Sequence, residues 1–252
     1  MDFNYSRHFS MNGGDGPLSY IKNSSYQRGV LEAAKAIIEE EIATKLDIST
    51  NSFFCIADFG CSTGNNSFPA MHTIIEAVKR KYESSDLKTP DFYVWFNDVV
   101  SNDFNTLFRS LPPDRSYKVA AVAGDFHGYL LPPSSVHFAY SSYAIHWLME
   151  VPKAAGGHKR LYGVEREEVY EAYLNKFERD LEAFFKCRGC RNGERWDYGS
   201  SNSCTASLLG PTNRVHCCVS DRTSQIFPSR YGQEGQTNVT FIRAKVNFKG
   251  KL

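Results

Sequence analysis

The sequence predicts an α/β fold with a parallel, doubly wound sheet, and three observations predict it. Short, continuous apolar runs alternate along the chain with amphipathic segments of helical period, which is the order of β-α-β units. The apolar runs do not alternate with polar residues, as is typical of parallel strands covered on both faces. The first two runs end in Asp58 and Asp98, and a glycine-containing turn follows the first, as at the ligand-binding edge of such sheets.

The elements follow in chain order. Residues 1–28 are polar and glycine-rich, so we expect an irregular arm ahead of the α/β domain of residues 29–186. Residues 29–46 predict the first helix, because their apolar side chains recur at helical spacing. These side chains are Val30, Leu31, Ala34, Ile37, Ile38 and Ile42. We expect strands at 53–60, 91–98, 117–126 and 136–148, and further helices at 67–83, 103–111 and 164–186.

Composition excludes several classes of function. The 252 residues carry a formal net charge of +1, so nothing global indicates a nucleic acid or a membrane surface as a partner. No apolar run approaches the length of a spanning helix, and the N-terminus has no apolar signal region. The seven cysteines are irregularly spaced, which favours a reducing, cytoplasmic location over a disulfide framework.

The turn "DFGCSTGN", residues 58–65, predicts the kind of ligand. Gly60 and Gly64 allow the backbone to approach a ligand, whereas Asp58 disfavours a phosphate, and no lysine follows as it does in a P-loop. A cationic ligand without phosphate fits better, and the sulfonium and ammonium of S-adenosyl-L-methionine are such groups. Asp98 is placed to accept both ribose hydroxyls. The alternative is an ordinary α/β turn in which Asp58 caps the following helix.

Three segments carry a resemblance to a known family. They are "MNGGDGPLSYIKNSSYQ" at 11–27, "IADFGCSTGNNS" at 56–67 and "HFAYSSYAIHWLMEVP" at 137–152, in that order. Together they resemble the plant SABATH family of S-adenosylmethionine-dependent carboxyl and N-methyltransferases, over residues 11 to about 188. The resemblance implies a Rossmann-like class I methyltransferase sheet whose N-terminal arm, with Asn23 among its matching positions, folds over both ligands as a cap.

The resemblance also implies a role for each matching position. The positions implied for the methyl donor are Tyr20, Ser24, Asp58, Gly60, Cys61, Asn66, Asp98, Val99, Asp125, Phe126 and Ser142. The positions implied for the acceptor are Gln27, Tyr143, His146 and Trp147. Asp125 and Phe126 stand where the family commonly has a Ser-Phe pair on the adenine, so we expect Phe126 to stack and Asp125 to accept from the adenine amino group.

Simpler interpretations remain open for several of these residues. Tyr143 and Trp147 are four apart and would also suit a helical core pair. His146 would suit a structural histidine, and Cys61 an inert buried thiol.

The chemistry expected is positioning without a general base. A small carboxylic acid is ionised at neutral pH, so methyl transfer requires alignment and desolvation of its carboxylate. Gln27 and the Trp147 indole N–H are two neutral donors that would hold one carboxylate oxygen. The alternatives are N-methylation of a purine alkaloid and a non-enzymatic, donor-binding remnant. Association of the chain with a second copy of itself, as a homodimer, also remains open.

The text changes character from residue 188. Where the family carries "CRAEEMVxGGxMxLL", this chain has "CRGCRNGERWDYGSSNSC", and five of its seven cysteines lie from 187 onward. One interpretation is a zinc site of Cys187 and Cys190 with Cys204 or residues 216–218. We favour another, in which residues from about 189 to 252 are a frame-shifted tail, since codons can be chosen for which a one-nucleotide shift yields family-like text.

Such a tail would remove the later strands of the sheet. The fourth strand would then be an exposed edge, and the acceptor cap would be incomplete. We also expect no metal, because "GGHKRLY" stands where the family's metal-linked text would be.

Overall fold

The computed structural model describes residues 10–48, 50–132, 135–150, 152, 167–189 and 216–220. Within these ranges the chain forms a parallel sheet flanked by helices, which confirms the predicted α/β fold. The described strands are β1 (Phe53–Phe59), β2 (Asp91–Asp98), β3 (Tyr117–Ala123), β4 (Phe138–Ser142) and β5 (His216–Ser220). The described helices are α1 (Tyr20–Asn23), α2 (Ser25–Lys45), α3 (Ser67–Ser84), α4 (Phe104–Arg109) and α5 (Glu167–Gly189).

The sheet has the strand order β3-β2-β1-β4-β5, and every described pair is parallel. The chain builds outward from β1 to β3 and then returns to the other side of β1 with β4. The order therefore reverses between β1 and β4, and a crevice for ligands is expected beyond the carboxyl ends of these strands. Asp58 in β1 lies opposite Phe96 in β2 and Tyr140 in β4, at that end of the sheet.

Apolar side chains cover both faces of the sheet. On one face α2 and α3 pack through a large buried cluster that includes Ile38 and Met71. On the other face Phe184 of α5 contacts Phe59 and Phe126 edge-on, at ring-centroid distances of 5.7 and 5.8 Å. Burial on both sides is the reason that the strands read as continuous apolar runs.

The first long helix begins earlier than the sequence predicts. Helix α2 starts at Ser25 rather than at residue 29, and the short helix α1 precedes it within the arm. Gln27 therefore lies in the first turn of α2 and not in an irregular segment. The predicted apolar stripe is confirmed, since its members are buried except Ile37, which is partly buried against the same cluster.

The fourth strand is not an edge, which corrects the prediction. β5 pairs with it in parallel register from Phe138↔His216 to Ser142↔Ser220. A parallel ladder is made by main-chain hydrogen bonds, so it forms without the apolar period whose absence suggested a missing strand. The frame-shift hypothesis otherwise concerns residues outside the described ranges.

A histidine stabilises the start of β4. The Cys55 main-chain N–H donates to His137 Nδ1 at 3.0 Å, and the His137 main-chain N–H donates to the Cys55 carbonyl at 2.8 Å. The imidazole stacks on Phe54 with a centroid distance of 5.2 Å. Burial lowers the pKa of His137, so the neutral ring that can accept this hydrogen bond is favoured.

Among the described residues, no helix combines the length and the hydropathy needed to cross a bilayer.

Candidate functional site

A cavity open to solvent lies at the carboxyl ends of the strands. Most residues that the sequence marks as candidates line it. These are Tyr20, Gln27, Gly60, Asp98, Val99, Asp125, Phe126, Ser142, Tyr143, His146 and Trp147.

Four predicted residues do not line the cavity but lie behind its wall. They are Ser24, Asp58, Cys61 and Asn66, and all but Asn66 are buried. The cavity also has lining residues that the sequence did not predict. They are Met11, Ser62, His127, Ala144, Leu148 and Met149. All of them except His127 lie within the three quoted segments, and His127 directly follows Phe126.

The turn after β1 requires glycine at two positions. Gly60 and Gly64 both have φ of 89°, in the left-handed region that side chains disfavour. A Cβ on Gly60 would lie 2.1 Å from the Cβ of Ala144, and one on Gly64 would lie 2.2 Å from the Phe68 ring. Gly60 therefore brings the β1 turn against the segment after β4, a long-range contact that closes the floor of the cavity.

Asn97 connects the ends of three strands by hydrogen bonds, and the sequence did not single it out. Its carbonyl accepts the main-chain N–H groups of Gly60 and Cys61 at 2.9 and 3.0 Å. Its side-chain Nδ2 donates to the carbonyls of Val122 and Gly124 at 2.7 and 3.0 Å. A fully buried amide within an apolar strand was the signal that could have identified it.

Asp98 is fixed at the tip of β2. Its two oxygens accept one main-chain N–H each, from Ser62 at 2.7 Å and from Val99 at 2.8 Å. Burial raises the pKa of Asp98, while these two hydrogen bonds oppose the rise. A carboxylate has about four acceptor sites, so the arrangement leaves capacity for ligand hydroxyls.

Asp58 lies behind the turn rather than at the rim where the sequence placed it. Asp58 is 1% exposed, and burial raises its pKa to about 7. A hydrogen bond from Ser67 opposes this rise, whereas the negative charge of Asp98 adds to it. Its Oδ2 atom has no hydrogen-bond partner within the described ranges. The alternative role as a helix cap is wrong, because α3 starts at Ser67 after Asn66.

The N-terminal arm is attached to the turn by two asparagines. Asn66 Nδ2 donates to the Tyr20 hydroxyl at 3.4 Å and to the Ser24 carbonyl at 3.3 Å, and Asn65 Nδ2 donates to Ser24 Oγ at 3.3 Å. Ser24 and Asn66 thus hold the arm against the turn. Tyr20, which this bonding positions, lines the cavity, and burial raises its pKa.

Aromatic side chains form one wall of the cavity. Tyr143 meets Tyr26 edge-on at 5.6 Å and His146 at 5.8 Å, and His146 lies 5.5 Å from Trp147. The alternative of a helical core pair is wrong, because these residues follow β4 in turns and Trp147 is 38% exposed. Tyr143 has φ of 57°, a strained conformation for a bulky side chain that is typical of functional sites.

The opposite wall follows β3. Phe126 is 7% exposed and packs between Phe184 and the His127 ring, whose centroid lies 4.5 Å away. Asp125 accepts from the His127 main-chain N–H at 3.0 Å, and its Oδ1 atom lies 2.7 Å from His127 Nδ1. This wall offers an aromatic side chain next to an oriented carboxylate.

Cys61 is an inert thiol in this setting. It is 3% exposed, and burial, together with the charges of Asp98 and Asp58, raises its pKa well above the ordinary value. Its main chain, not its sulfur, contributes to the turn.

Two polar atoms of the cavity lining lack a protein partner within the described part of the chain. They are Gln27 Oε1 and Ser62 Oγ, both buried. Buried polar atoms without partners are costly, so they are consistent with hydrogen bonding to a ligand. Two acids lie behind and beside the same cavity, and a cationic ligand would stabilise their ionised forms, whereas an anionic ligand would not.

No three His, Cys, Asp or Glu side chains come together as metal ligands among the described residues. Most of the zinc ligands considered from the sequence, Cys190, Cys204 and the side chains of residues 216–218, lie outside what the structure describes.

Comparisons with known proteins agree with this geometry. Residues 6–191 match the family described as SAM dependent carboxyl methyltransferase. Loganic acid O-methyltransferase of Catharanthus roseus is 48% identical over 192 residues, which cover 71% of this chain and 52% of the relative. Farnesoic acid carboxyl-O-methyltransferase of Arabidopsis thaliana is 43% identical over 192 residues, which cover 73% and 55%.

A solved structure points the same way. Loganic acid methyltransferase with SAH has a TM-score of 0.66 and 49% identity, and the match covers 71% of this chain and 54% of that chain. The chain spans about half the length of the curated relatives it matches.

Proposed function

Because the chain belongs to the SAM dependent carboxyl methyltransferase family, we propose that it binds S-adenosyl-L-methionine and methylates the carboxylate of a small acid. The family match confirms the SABATH resemblance found from the three sequence motifs. Loganic and farnesoic acids name the substrates of two relatives, so we propose a plant metabolite acid as the substrate class.

The residues around the cavity fit the cofactor. Asp98 has acceptor capacity for ribose hydroxyls, and Phe126 presents an aromatic ring to the same cavity. Asp58, buried and short of hydrogen bonds, lies beneath the turn where the cationic end would lie, and a bound cation would favour its ionised form against the raised pKa. When bound, S-adenosyl-L-methionine supplies an activated methyl group, and its transfer to a carboxylate gives a neutral thioether and a neutral ester with no proton to move.

The acceptor side of the cavity suits a carboxylate in an apolar setting. Gln27 and Trp147 line it and can donate neutral hydrogen bonds, which orient an anion without over-stabilising it. Tyr143, together with Leu148 and Met149, supplies apolar surface that excludes water from the carboxylate. The residues would therefore align and desolvate the acceptor, and no general base is required.

The observation that supports this proposal most strongly is that Asp98 lines a cavity with a separate aromatic wall, while Asp58, from the neighbouring strand end, is buried behind that cavity. The test is transfer of a labelled methyl group from S-adenosyl-L-methionine to a panel of terpenoid, fatty and aromatic carboxylic acids. We expect methyl ester formation with at least one acid class, lost in Trp147→Ala. If no acid in the panel gives a labelled ester, the proposal is contradicted.

The same assay with methylxanthines addresses the purine N-methyltransferase alternative. The carboxylate assignment is favoured because Gln27 and Trp147 both line the cavity as neutral donors. A donor-binding remnant would bind the demethylated cofactor without producing ester, so binding and turnover measured together separate the remaining alternative.

We also propose that residues from about 189 onward are a frame-shifted tail. The end of the family match at residue 191 supports this, although β5 shows that residues 216–220 can pair with the sheet. Sequencing the transcript tests it, and an uninterrupted frame without an insertion or deletion near codon 189 would refute it.

We also propose a cytoplasmic location and a homodimer. We propose further that the chain has no nucleic-acid partner, no membrane partner and no bound metal. Imaging of a fluorescent fusion, light scattering and metal analysis of the purified chain test them in turn.

A further inference from the structure

Residues 12–20 of the arm form a closed loop that adjoins the cavity at both of its ends. The Tyr20 main-chain N–H donates to the Asn12 carbonyl at 2.9 Å, and Asn12 Nδ2 donates to the Leu18 carbonyl at 3.1 Å. These bonds join the start of the loop to its end. Met11, which directly precedes the loop, and Tyr20, which ends it, both line the cavity. A movement of the loop as one body would therefore move a wall of the cavity.

One carboxylate holds this loop against the start of α4. Asp103 Oδ2 accepts the Gly14 main-chain N–H at 2.8 Å, and Gly13 lies so close that a Cβ on it would be 2.7 Å from the Asp103 Cβ. The same carboxylate caps α4, because its Oδ1 accepts the Thr106 main-chain N–H at 2.9 Å. Hydrogen bonds from Thr106, with a further one from Gly14, lower the pKa of Asp103, so its ionised form is favoured.

The segment between β2 and α4 connects the arm to the turn after β1. Asp98 accepts the Ser62 main-chain N–H at 2.7 Å, and Asn102 Nδ2 donates to the Ser62 carbonyl at 2.8 Å. Asp103, the next residue, adds the arm to this connection through Gly14. The three bonds are separate, so the contact with the arm can be removed by substitutions that leave both bonds to Ser62 in place.

We propose, on the basis of the proposed function, that Asp103 is a positioning residue that keeps the arm closed on the bound methyl donor and so slows its dissociation. Asp103 does not itself line the cavity, and it acts through Met11 and Tyr20, which do. A ligand whose wall includes the arm leaves only when the contacts with the arm are broken. Contacts of this kind change the dissociation rate more than the association rate.

The size of the effect follows from the loss of one hydrogen bond to a charged group. Such a bond contributes about 10- to 100-fold in an equilibrium constant. The bond between Asp103 and Gly14 is only partly buried, so water can replace it and the lower end of this range applies. We therefore expect loss of the contact to raise the dissociation rate constant of S-adenosyl-L-homocysteine about tenfold, with little change in the association rate constant.

Surface plasmon resonance with the intact, immobilised chain measures both rate constants for S-adenosyl-L-homocysteine. Two substitutions break the contact from opposite sides. Gly13→Ala places a methyl group 2.7 Å from Asp103 and displaces the arm. Asp103→Ser is too short to reach Gly14 but keeps an oxygen that caps α4, since serine is favoured at this position. Each variant should release the compound about tenfold faster than the wild type. Because both remove the same contact, the double variant should be no faster than the faster single variant.

Gly16→Ala is the matched control. It makes the same substitution in the same loop, but at a glycine where a Cβ would meet nothing within 4 Å, so its rate constants should equal those of the wild type. A dissociation rate constant is measured on folded molecules, so a loss of stability alone would not alter it. Hydrogen exchange adds a second readout, since bound S-adenosyl-L-homocysteine should slow exchange in residues 12–20 of the wild type and Gly16→Ala more than in Gly13→Ala.

The outcomes separate this inference from the proposed function. Unchanged dissociation in both Gly13→Ala and Asp103→Ser, or an equal acceleration in Gly16→Ala, would overturn the inference while leaving the methyl-donor site intact. A wild-type chain that does not bind S-adenosyl-L-homocysteine would overturn the proposed function and this inference together.

Discussion

Replacing Asp58 with asparagine should change how the stability of the ligand-free chain depends on pH. Burial raises the pKa of Asp58 to about 7, from an ordinary value of 3.8. Between these two pH values the folded state binds more protons than the unfolded state, so the free energy of unfolding falls as the pH rises. A shift of about three units corresponds to ~4 kcal/mol at about 1.36 kcal/mol per unit.

Asparagine does not titrate, so the variant lacks this term. Its amide nitrogen would meet no acceptor where Oδ2 has no partner, which costs about 1–3 kcal/mol at every pH. The informative quantity is therefore the difference in unfolding free energy, Asp58→Asn minus wild type, followed across pH. We expect this difference to increase by ~4 kcal/mol between pH 4 and pH 8.

Urea unfolding at half-unit pH steps, without ligand, measures the difference directly. Asp91→Asn is the control, because that side chain is exposed and its variant should track the wild type. Calorimetry in buffers of different ionisation enthalpy adds a second readout, since binding of a cation near Asp58 should release about half a proton at pH 7. A difference curve that is flat from pH 4 to pH 8 would refute the reasoning on Asp58.

Three further predictions concern stability and the floor of the site. His137 accepts a main-chain hydrogen bond only when neutral, and burial lowers its pKa. Its contribution to the free energy of unfolding is therefore complete above about pH 6.5 and is lost as the pH falls through the lower pKa of the folded state. His137→Gln should flatten this part of the pH profile measured by urea unfolding. Gly60→Ala should destabilise the chain by about 2–4 kcal/mol, because its Cβ would lie 2.1 Å from a neighbouring Cβ, whereas Gly16→Ala has open space and should be nearly neutral in thermal unfolding. Asp180→Asn should cost about 3 kcal/mol, because it removes a 2%-exposed carboxylate that pairs with Lys176 at 2.7 Å and leaves that lysine only the exposed Glu150 at 3.8 Å; equal midpoints for it and the exposed-site control Glu178→Gln in urea would contradict this.

Much of the sheet could be predicted from the sequence, because parallel strands buried on both faces leave a simple signature. The run "DFYVWFND" predicts β2 with the bounds that the structure has, and the acid that ends it lies at the cavity. Residues of the cavity walls were predicted through the family resemblance, which the long motifs around Tyr20 and Tyr143 carry. Local pattern alone left a structural role open for them.

What the sequence could not predict depends on long-range contacts. Gly60 lies against Ala144, more than eighty residues away, and no local pattern indicates this contact or the burial of Asp58. β5 forms through main-chain pairing with β4, so its side chains gave no period to detect. His127 contacts the carboxylate of Asp125, and the Asp-x-His spacing behind this contact is informative only when the loop geometry is known.

Titration calorimetry of S-adenosyl-L-homocysteine into the intact chain and into Asp98→Asn tests the central claim most directly. The account predicts saturable binding to the wild type and a loss of at least tenfold in affinity for the variant, since the amide cannot accept both ribose hydroxyls as the carboxylate does. A folded wild type that does not bind, or a variant that binds equally well, would contradict the account.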